Sequence, residues 1–207
     1  MISHELKCIF IHIPRTAGSS IERTLVGKDW WQIERKTKHL VASQAKKLYS
    51  EYWDDYFKFS FVRDPYSRML SMTTFDNIRK IYYGDTLPFN GVVTDQHINE
   101  YKKLFGTRVL IEHDYRFYKM EEVINEKHKE NCVYGNILDE RIDYIGRFET
   151  LEEDFNNICN MLGVKGKELK KIGNKQHRNS LSLEAKIIIN KIYDEDFSTY
   201  DYSREQI

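Results

Sequence analysis

Cysteine is scarce in this chain of 207 residues, with only Cys8, Cys132 and Cys159. They stand far apart, are odd in number and form neither a CxxC pair nor a metal-ligand spacing. A disulfide framework is thereby excluded, and the expectation is buried thiols in a reducing compartment. Charge of one sign is lacking too, since 32 basic residues face 32 acidic ones. That balance argues against a surface built as a whole for nucleic acid or an anionic membrane, while leaving room for local basic clusters. No stretch approaches the ~18 consecutive apolar residues of a membrane span. The opening "MISHELK" has no basic region leading into a long apolar core, so the chain reads as soluble and cytoplasmic. No linker, internal repeat or low-complexity run divides it. Against the roughly 150 residues typical of a domain, residues 1–207 read as one domain. A chain of this size buries about 70% of its unfolded surface and needs no covalent staple.

What is present is an alternation of apolar runs and helical periods. "KCIFIHI" is a continuous apolar run stopped by Pro14, as expected of a buried parallel strand. From Ser20 onward Ile21, Leu25 and Val26 fall near helical spacing, with Gly27 as a stop. Residues 40–53 read as one helix, 56–62 ("YFKFSFV") as a second strand, and Tyr66 to about Tyr83 as a long amphipathic helix. The middle yields a loop at "GDTLPFNG", helices at "TDQHINEYKKLFG" and "MEEVINEKHKE", and a short strand at "TRVLI". "IDYIGRF" is a strand candidate. "TLEEDFNNICNMLG" reads as a helix with Thr150 and Glu153 as a capping box and Gly163 at its end. The chain closes on a helix and a tyrosine-rich tail. Strands alternating with helices predict an α/β fold, a P-loop-like, mainly parallel sheet flanked by helices on both faces.

Two stretches carry chemistry. In "CIFIHIPRTAGSSIERTL" a strand ends in a small-residue loop that feeds a helix. The first N–H groups of a helix lack internal partners and carry the positive end of its dipole, which makes such a junction an anion site. Gly18 lets backbone come close, Arg15 adds a charged fork, and Thr16, Ser19 and Ser20 add hydroxyls around Ala17. The loop is not a Walker A, because its cation precedes its single glycine. A polar turn with a capped helix is the alternative. The second stretch, "FKFSFVRDPYSRMLSMTTF", repeats the plan: a strand ends at Arg63, and a helix begun by proline carries Arg68 and Ser71 on one face. The alternative there is an Arg63–Asp64 surface pair. Ligands of open α/β sheets lie beyond the carboxyl ends of strands, which puts both motifs on one rim. Two anion sites at two strand ends suit a ligand with two phosphate-like groups.

These residues resemble a known family. "IFIHIPRTAGSSIERTL" is similar to the 5′-phosphosulfate loop of sulfotransferases that use 3′-phosphoadenosine 5′-phosphosulfate (PAPS). "FSFVRDPYSRMLSMTTF" resembles their 3′-phosphate motif, in which an arginine and a serine eight residues later, here Arg63 and Ser71, grip the 3′-phosphate. "IDYIGRFETLEEDF" and "YDEDFSTYDYS" resemble later segments of the sulfotransferase family 2 group, whereas residues 84–140 carry no such likeness. The family usually has lysine, assigned to the leaving group, where this chain has Arg15; arginine keeps the charge in a bulkier planar form.

The resemblance implies transfer of a sulfuryl group from PAPS to an acceptor hydroxyl, releasing adenosine 3′,5′-bisphosphate, with no metal required. It places Arg15, Thr16, Ala17, Gly18, Ser19 and Ser20 around the 5′ end and Arg63 and Ser71 at the 3′-phosphate. It also assigns His39, by its position between the motifs, as the base that takes the acceptor proton; imidazole suits that role near neutral pH. His12 reads as a packed strand residue, with His97 and His113 as outside candidates for the base. The basic run 165–178 is either a solvated face or a loop closing on the cofactor through Lys175, His177 or Arg178. Arg147 is a further candidate or a structural ion pair. Trp30, Trp31 and Trp53 either line an acceptor site or are simply core. The expected acceptor is a small hydroxylated metabolite, with a carbohydrate, as for a glycan O-sulfotransferase, as the alternative, and no nucleic acid or membrane is expected as partner. The rivals are a magnesium-dependent kinase on a related fold and a non-catalytic nucleotide-binding module.

Overall fold

The computed structural model describes residues 1–34, 37–73, 133–164, 167–170, 181 and 183–207. The described residues belong to two compact units, Met1–Asp64 with Tyr134–Gln176, and Pro65–Val133 with His177–Ile207. The readings for "GDTLPFNG", "TDQHINEYKKLFG", "TRVLI" and "MEEVINEKHKE" lie outside the described residues, as do Cys132, His97, His113 and the second half of the long helix.

The first unit is an α/β sheet of strand order β1-β2-β3-β4. Strand β1 (Ile2–Ser3) pairs antiparallel with β2 (Cys8–Ile11), across a turn in which Lys7 takes φ 48. β2 runs parallel to β3 (Phe57–Val62), which runs parallel to β4 (Tyr144–Arg147). The short β1 hairpin was not legible in the sequence, because two residues are too few for a periodic signal. Parallel strands require crossovers, and helices supply them. Helix α1 (Gly18–Val26) follows β2, and after a 3-10 turn at Trp30–Gln32 come α2 (Ala42–Leu48) and α3 (Ser50–Trp53). Helix α4 begins the second unit. A short helix α5 (Tyr134–Ile137) precedes β4, and α6 (Leu151–Met161) follows it.

Both faces of the sheet are buried, as the continuous apolar runs predict. On one face Phe10, Phe59 and Phe61 pack with Ile21 and Leu25 of α1 and Phe155 and Ile158 of α6. The alternate residues Ile9, Ile11 and Val62 are buried on the other. There Lys58 holds its ammonium 5.9 Å from the Trp53 ring of α3 and 2.9 Å from Asp143. Cys8 and Cys159 are free, buried thiols, as expected, and burial pushes Cys8 up to about 12. Trp30 and Trp53 are core residues.

Two expectations need correction. Residues 40–53 are not one helix: the chain breaks at Tyr49 (φ −109, ψ 32), which turns Trp53 into the core and leaves Leu48 exposed. Asp139, 96 residues away, accepts from the Ser43 N–H at 2.8 Å and from its hydroxyl at 2.6 Å, capping α2 from outside. The capping box at Thr150 is also absent, since the Thr150 hydroxyl donates to Asp154 at 2.6 Å rather than capping the helix. Asp154 gathers the Arg147 N–H and the Tyr144 hydroxyl as well, locking β4 to α6. The helix end is as read: Gly163 takes φ 68, and the Val164 and Gly163 N–H groups bond back to Cys159 and Asn160 in a Schellman pattern.

The second unit packs α4 (Pro65–Thr73) with α7 (Leu183–Ile192) and α8 (Asp194–Thr199). Tyr66, Met69, Ile189, Tyr193 and Phe197 form its core. The expected single helix and tail is therefore two helices. The residues after them are tied down where the Glu205 N–H donates to the Tyr66 hydroxyl at 3.0 Å and Lys186 pairs with Glu205 at 2.5 Å.

Gly146 sits opposite Phe61 in the β3–β4 ladder, and a Cβ there would lie 2.5 Å from the ring. Phe61 is fully buried and has nowhere to go. Gly146→Ala should therefore destabilise the protein by about 1–3 kcal/mol, read as a lower urea midpoint. An unchanged midpoint would show that the strands part without strain.

Candidate active site

The loop between β2 and α1 departs from ordinary backbone. Arg15 (φ 70) and Ala17 (φ 68, ψ 12) are both left-handed without being glycine. Such residues cost about 1–3 kcal/mol each and persist only where the surroundings over-determine them, which is commonly at binding sites. Ala17 is the N-cap of α1 and offers no side-chain acceptor to the helix. The Ser20 and Ile21 N–H groups turn back to the Ala17 carbonyl at 2.9 and 3.2 Å. The first-turn N–H groups of Gly18 and Ser19 lie ahead of those bonds, where helices leave donors for an anion.

The side chains of the loop are less open than the sequence suggests. The Thr16 hydroxyl donates to the Ile13 carbonyl at 2.8 Å, and Ser19 Oγ accepts from Lys38 at 3.1 Å. Ser20 is buried, and its carbonyl accepts from the Thr24 hydroxyl. Gly18 has a packing reason of its own. A Cβ there would stand 2.1 Å from Cδ2 and Nε2 of His12, so the imidazole fills that space.

Beneath the loop lies a buried charge cluster. His12 Nδ1 donates to Glu22 Oε1 at 2.6 Å. Glu22 Oε2 accepts from the Trp30 N–H and from Lys38 Nζ, each at 2.9 Å. Lys38 also bonds Asp29, which caps the 3-10 turn by accepting from the Trp31 N–H. Burial alone would raise the Glu22 carboxyl, but His12, Lys38 and the Trp30 N–H outweigh it and hold Glu22 down at about 2. Burial likewise works against Asp29, and Lys38 overcomes it, keeping that carboxyl below its usual range. Burial pushes the His12 imidazole down, more than Glu22 raises it, so His12 is neutral at neutral pH.

His39 stands in the turn before α2 and is half-buried. Its Nδ1 lies 3.0 Å from the His12 carbonyl, and its ring meets the His12 ring edge-on at 4.5 Å and the Trp31 ring at 5.7 Å. A carbonyl only accepts, so Nδ1 carries the proton and Nε2 the lone pair.

Arg63, at the end of β3, turns toward the loop. Its Nη1 donates to the Arg15 carbonyl at 3.2 Å, and its guanidinium lies 4.0 Å over the Phe148 ring. The Tyr134 hydroxyl accepts from the Arg63 N–H at 3.0 Å and donates to its carbonyl at 2.6 Å, fixing the backbone there. The two sequence motifs thus meet within the first unit through Arg15 and Arg63. Ser71 is buried on α4 in the second unit together with Arg68. Arg178, Lys175 and His177 lie outside the described residues. Earlier in the same basic run, Lys167 Nζ donates to the Leu25 carbonyl at 3.0 Å and the Lys170 N–H to Thr24 Oγ1 at 3.0 Å. That part of the run is docked at the far end of α1 from the loop. Arg147 belongs to the Asp154 lock, where its charge helps lower that carboxyl.

Sequence reading missed Glu22, Asp29, Lys38, Tyr134 and Phe148. Glu22 left one signal, an acidic residue beside Ile21 and in step with Leu25 on the apolar side of a short helix.

Gly18→Ala should cost about 1–3 kcal/mol in the ligand-free protein by displacing His12. His12→Ala should recover part of that loss in a double-mutant cycle. Unchanged ligand-free stability in Gly18→Ala would mean that the glycine serves only a ligand. Glu22, with its carboxyl held near 2 against an ordinary 4.5, contributes stability that is present above pH 4.5 and lost as pH falls toward 2. That loss is about 3 kcal/mol at most, and Glu22→Gln should flatten it in urea titrations across that window. A wild-type profile already flat there would show that Glu22 is not held by its partners.

No helix among the described residues is long and apolar enough to cross a membrane. A family model described as "Sulfotransferase family" matches residues 1–203, running through both units. Comparison with curated proteins and with solved structures finds no match. The chain belongs to the sulfotransferase family, and its activity is the transfer of a sulfuryl group from a sulfate donor.

Proposed function

We propose that the chain is a PAPS-dependent O-sulfotransferase, with residues 1–207 as one sulfotransferase domain. The observation that carries this reading is the Arg63–Arg15 hydrogen bond at 3.2 Å. It joins, at the ends of adjacent parallel strands, a cation suited to a 3′-phosphate and a loop suited to a 5′-phosphosulfate. The strained Arg15 and Ala17 backbone and the start of α1 fit an anion at the loop.

In this reading Arg15 and the first N–H groups of α1 hold the 5′-phosphosulfate and stabilise the charge that grows on the leaving phosphate. Since Thr16 and Ser19 are engaged internally, backbone N–H groups and Arg15 carry most of that task. Arg63, pre-oriented by Phe148, binds the 3′-phosphate, with Ser71 and Arg178 as further ligands suggested by the family motif and the basic run. His39 Nε2 takes the acceptor proton while the hydroxyl oxygen attacks sulfur in line. The bond from sulfur to the bridging oxygen breaks, and adenosine 3′,5′-bisphosphate leaves. Such a loose transition state depends mainly on positioning and charge, so a metal is not demanded. Trp31, edge-on to His39 at 5.7 Å, is the tryptophan that this reading puts beside the acceptor. The balanced charge suits a small hydroxylated metabolite, and the free, buried thiols Cys8 and Cys159 suit a cytoplasmic setting.

Calorimetric titration with adenosine 3′,5′-bisphosphate, beside AMP and ATP–Mg²⁺, tests the donor. Binding should require the 3′-phosphate and weaken by at least roughly tenfold in Arg63→Ala, the equivalent of about 1.4 kcal/mol. His39→Ala should leave that affinity intact and lower transfer from PAPS by about 10²–10⁴. A preference for ATP–Mg²⁺ would point to a kinase instead. Full transfer activity in His39→Ala would remove His39 from the base role.

A further inference from the structure

We propose that Lys38 is the positioning residue that fixes His39 against the anion loop, acting through Glu22, Asp29 and Ser19 rather than by touching substrate. The inference rests on His39 as the base in the reading above.

An ammonium has three N–H donors and accepts nothing. Around Lys38 Nζ stand three acceptors: Glu22 Oε2 at 2.9 Å, Ser19 Oγ at 3.1 Å, and Asp29 Oδ1. The side chain is 1% exposed. Its donors are taken and two carboxylates answer its charge, so it does not reach an incoming phosphate in place of Arg15. What it can do is hold parts together. Ser19 and Glu22 lie three apart on one face of α1, the helix that begins at the loop. Asp29 caps the turn that carries Trp30 and Trp31. The backbone of Lys38 is bonded directly to His39, so pinning its ammonium to α1 pins the base to the same helix.

Residues 38–40 are neither helix nor strand, and their place is set by such contacts. A buried ion pair is a weak source of net stability but can select one arrangement over others. The arrangement selected here is the one in which His39 Nδ1 meets the His12 carbonyl at 3.0 Å and Nε2 keeps the lone pair a base needs. His12 is itself held by Glu22 at 2.6 Å, so the same carboxylate steadies both the peg and the surface that orients the ring.

The test reads the tautomer of His39 by nitrogen-15 NMR, with the signals assigned by their loss in His39→Ala. In the wild type the Nδ1–H form should dominate. Lys38→Met should remove that dominance, with the Nε2–H form appearing. Lys38→Arg keeps the charge, but its planar fork does not place three bonds at one point, so it should show the same change in smaller degree. Folded Lys38→Met and Lys38→Arg proteins that both keep the wild-type tautomer would overturn the proposal. Should Lys38→Met fail to fold, with two buried carboxylates left without their cation, Lys38→Arg decides alone on the same criterion. Titration of the wild type with adenosine 3′,5′-bisphosphate is read separately. Absence of binding there would overturn the functional reading and the role of Lys38 in it, whatever the tautomer.

Discussion

The Glu22 carboxylate is the point on which the rest of the site hangs. It sits wholly buried on α1 and receives an imidazole N–H, an ammonium and a backbone N–H from His12, Lys38 and Trp30. Those three donors come from the end of a strand, a turn and a 3-10 segment. A charge in that setting is costly unless it is surrounded by donors, and a neutral or misplaced partner would leave it uncompensated. The requirement to satisfy one carboxylate therefore forces three separate pieces of chain into a single geometry. The loop above inherits its shape from that constraint, because His12 also occupies the space that a Cβ would take at Gly18.

Rigidity at the site is matched by strain. Arg15 and Ala17 hold left-handed backbone without the relief of glycine, and Arg63 is clamped between a carbonyl and an aromatic face. Displacement at sulfur is helped chiefly by donors that are already in place when charge develops. In the proposed reading, a loop held by the cluster beneath it and an arginine stacked in advance would reduce the reorganisation needed at that moment. The hydroxyls of Thr16 and Ser19, which look in sequence like ligands for an anion, also brace the loop from within, Thr16 donating to the Ile13 carbonyl and Ser19 accepting from Lys38.

Much of the frame is legible in the amino-acid sequence. The runs at 8–11 and 57–62 are continuous and apolar because both faces of the sheet are covered, and they appear as parallel strands. Gly27 and Gly163 end helices with positive φ, as their positions imply. The break at Tyr49 and the failure of the Thr150 capping box were not legible. At Thr150 a competing carboxylate, Asp154, captured the hydroxyl that local rules assign to the helix start, and at Tyr49 the break goes with the burial of Trp53, which local periodicity does not show.

The sequence by itself determined the two central parallel strands, the two cationic strand ends and the membership in the sulfotransferase family, because these reside in local periodicity and in motifs read along the chain. Only the tertiary structure decided that Arg63 reaches the Arg15 carbonyl, that His39 rests on His12, and that Lys38 is a buried peg rather than a surface charge. The physical reason is that a titratable side chain has no fixed role in sequence. Its partners, burial and tautomer are set by residues that the fold alone brings within hydrogen-bonding distance.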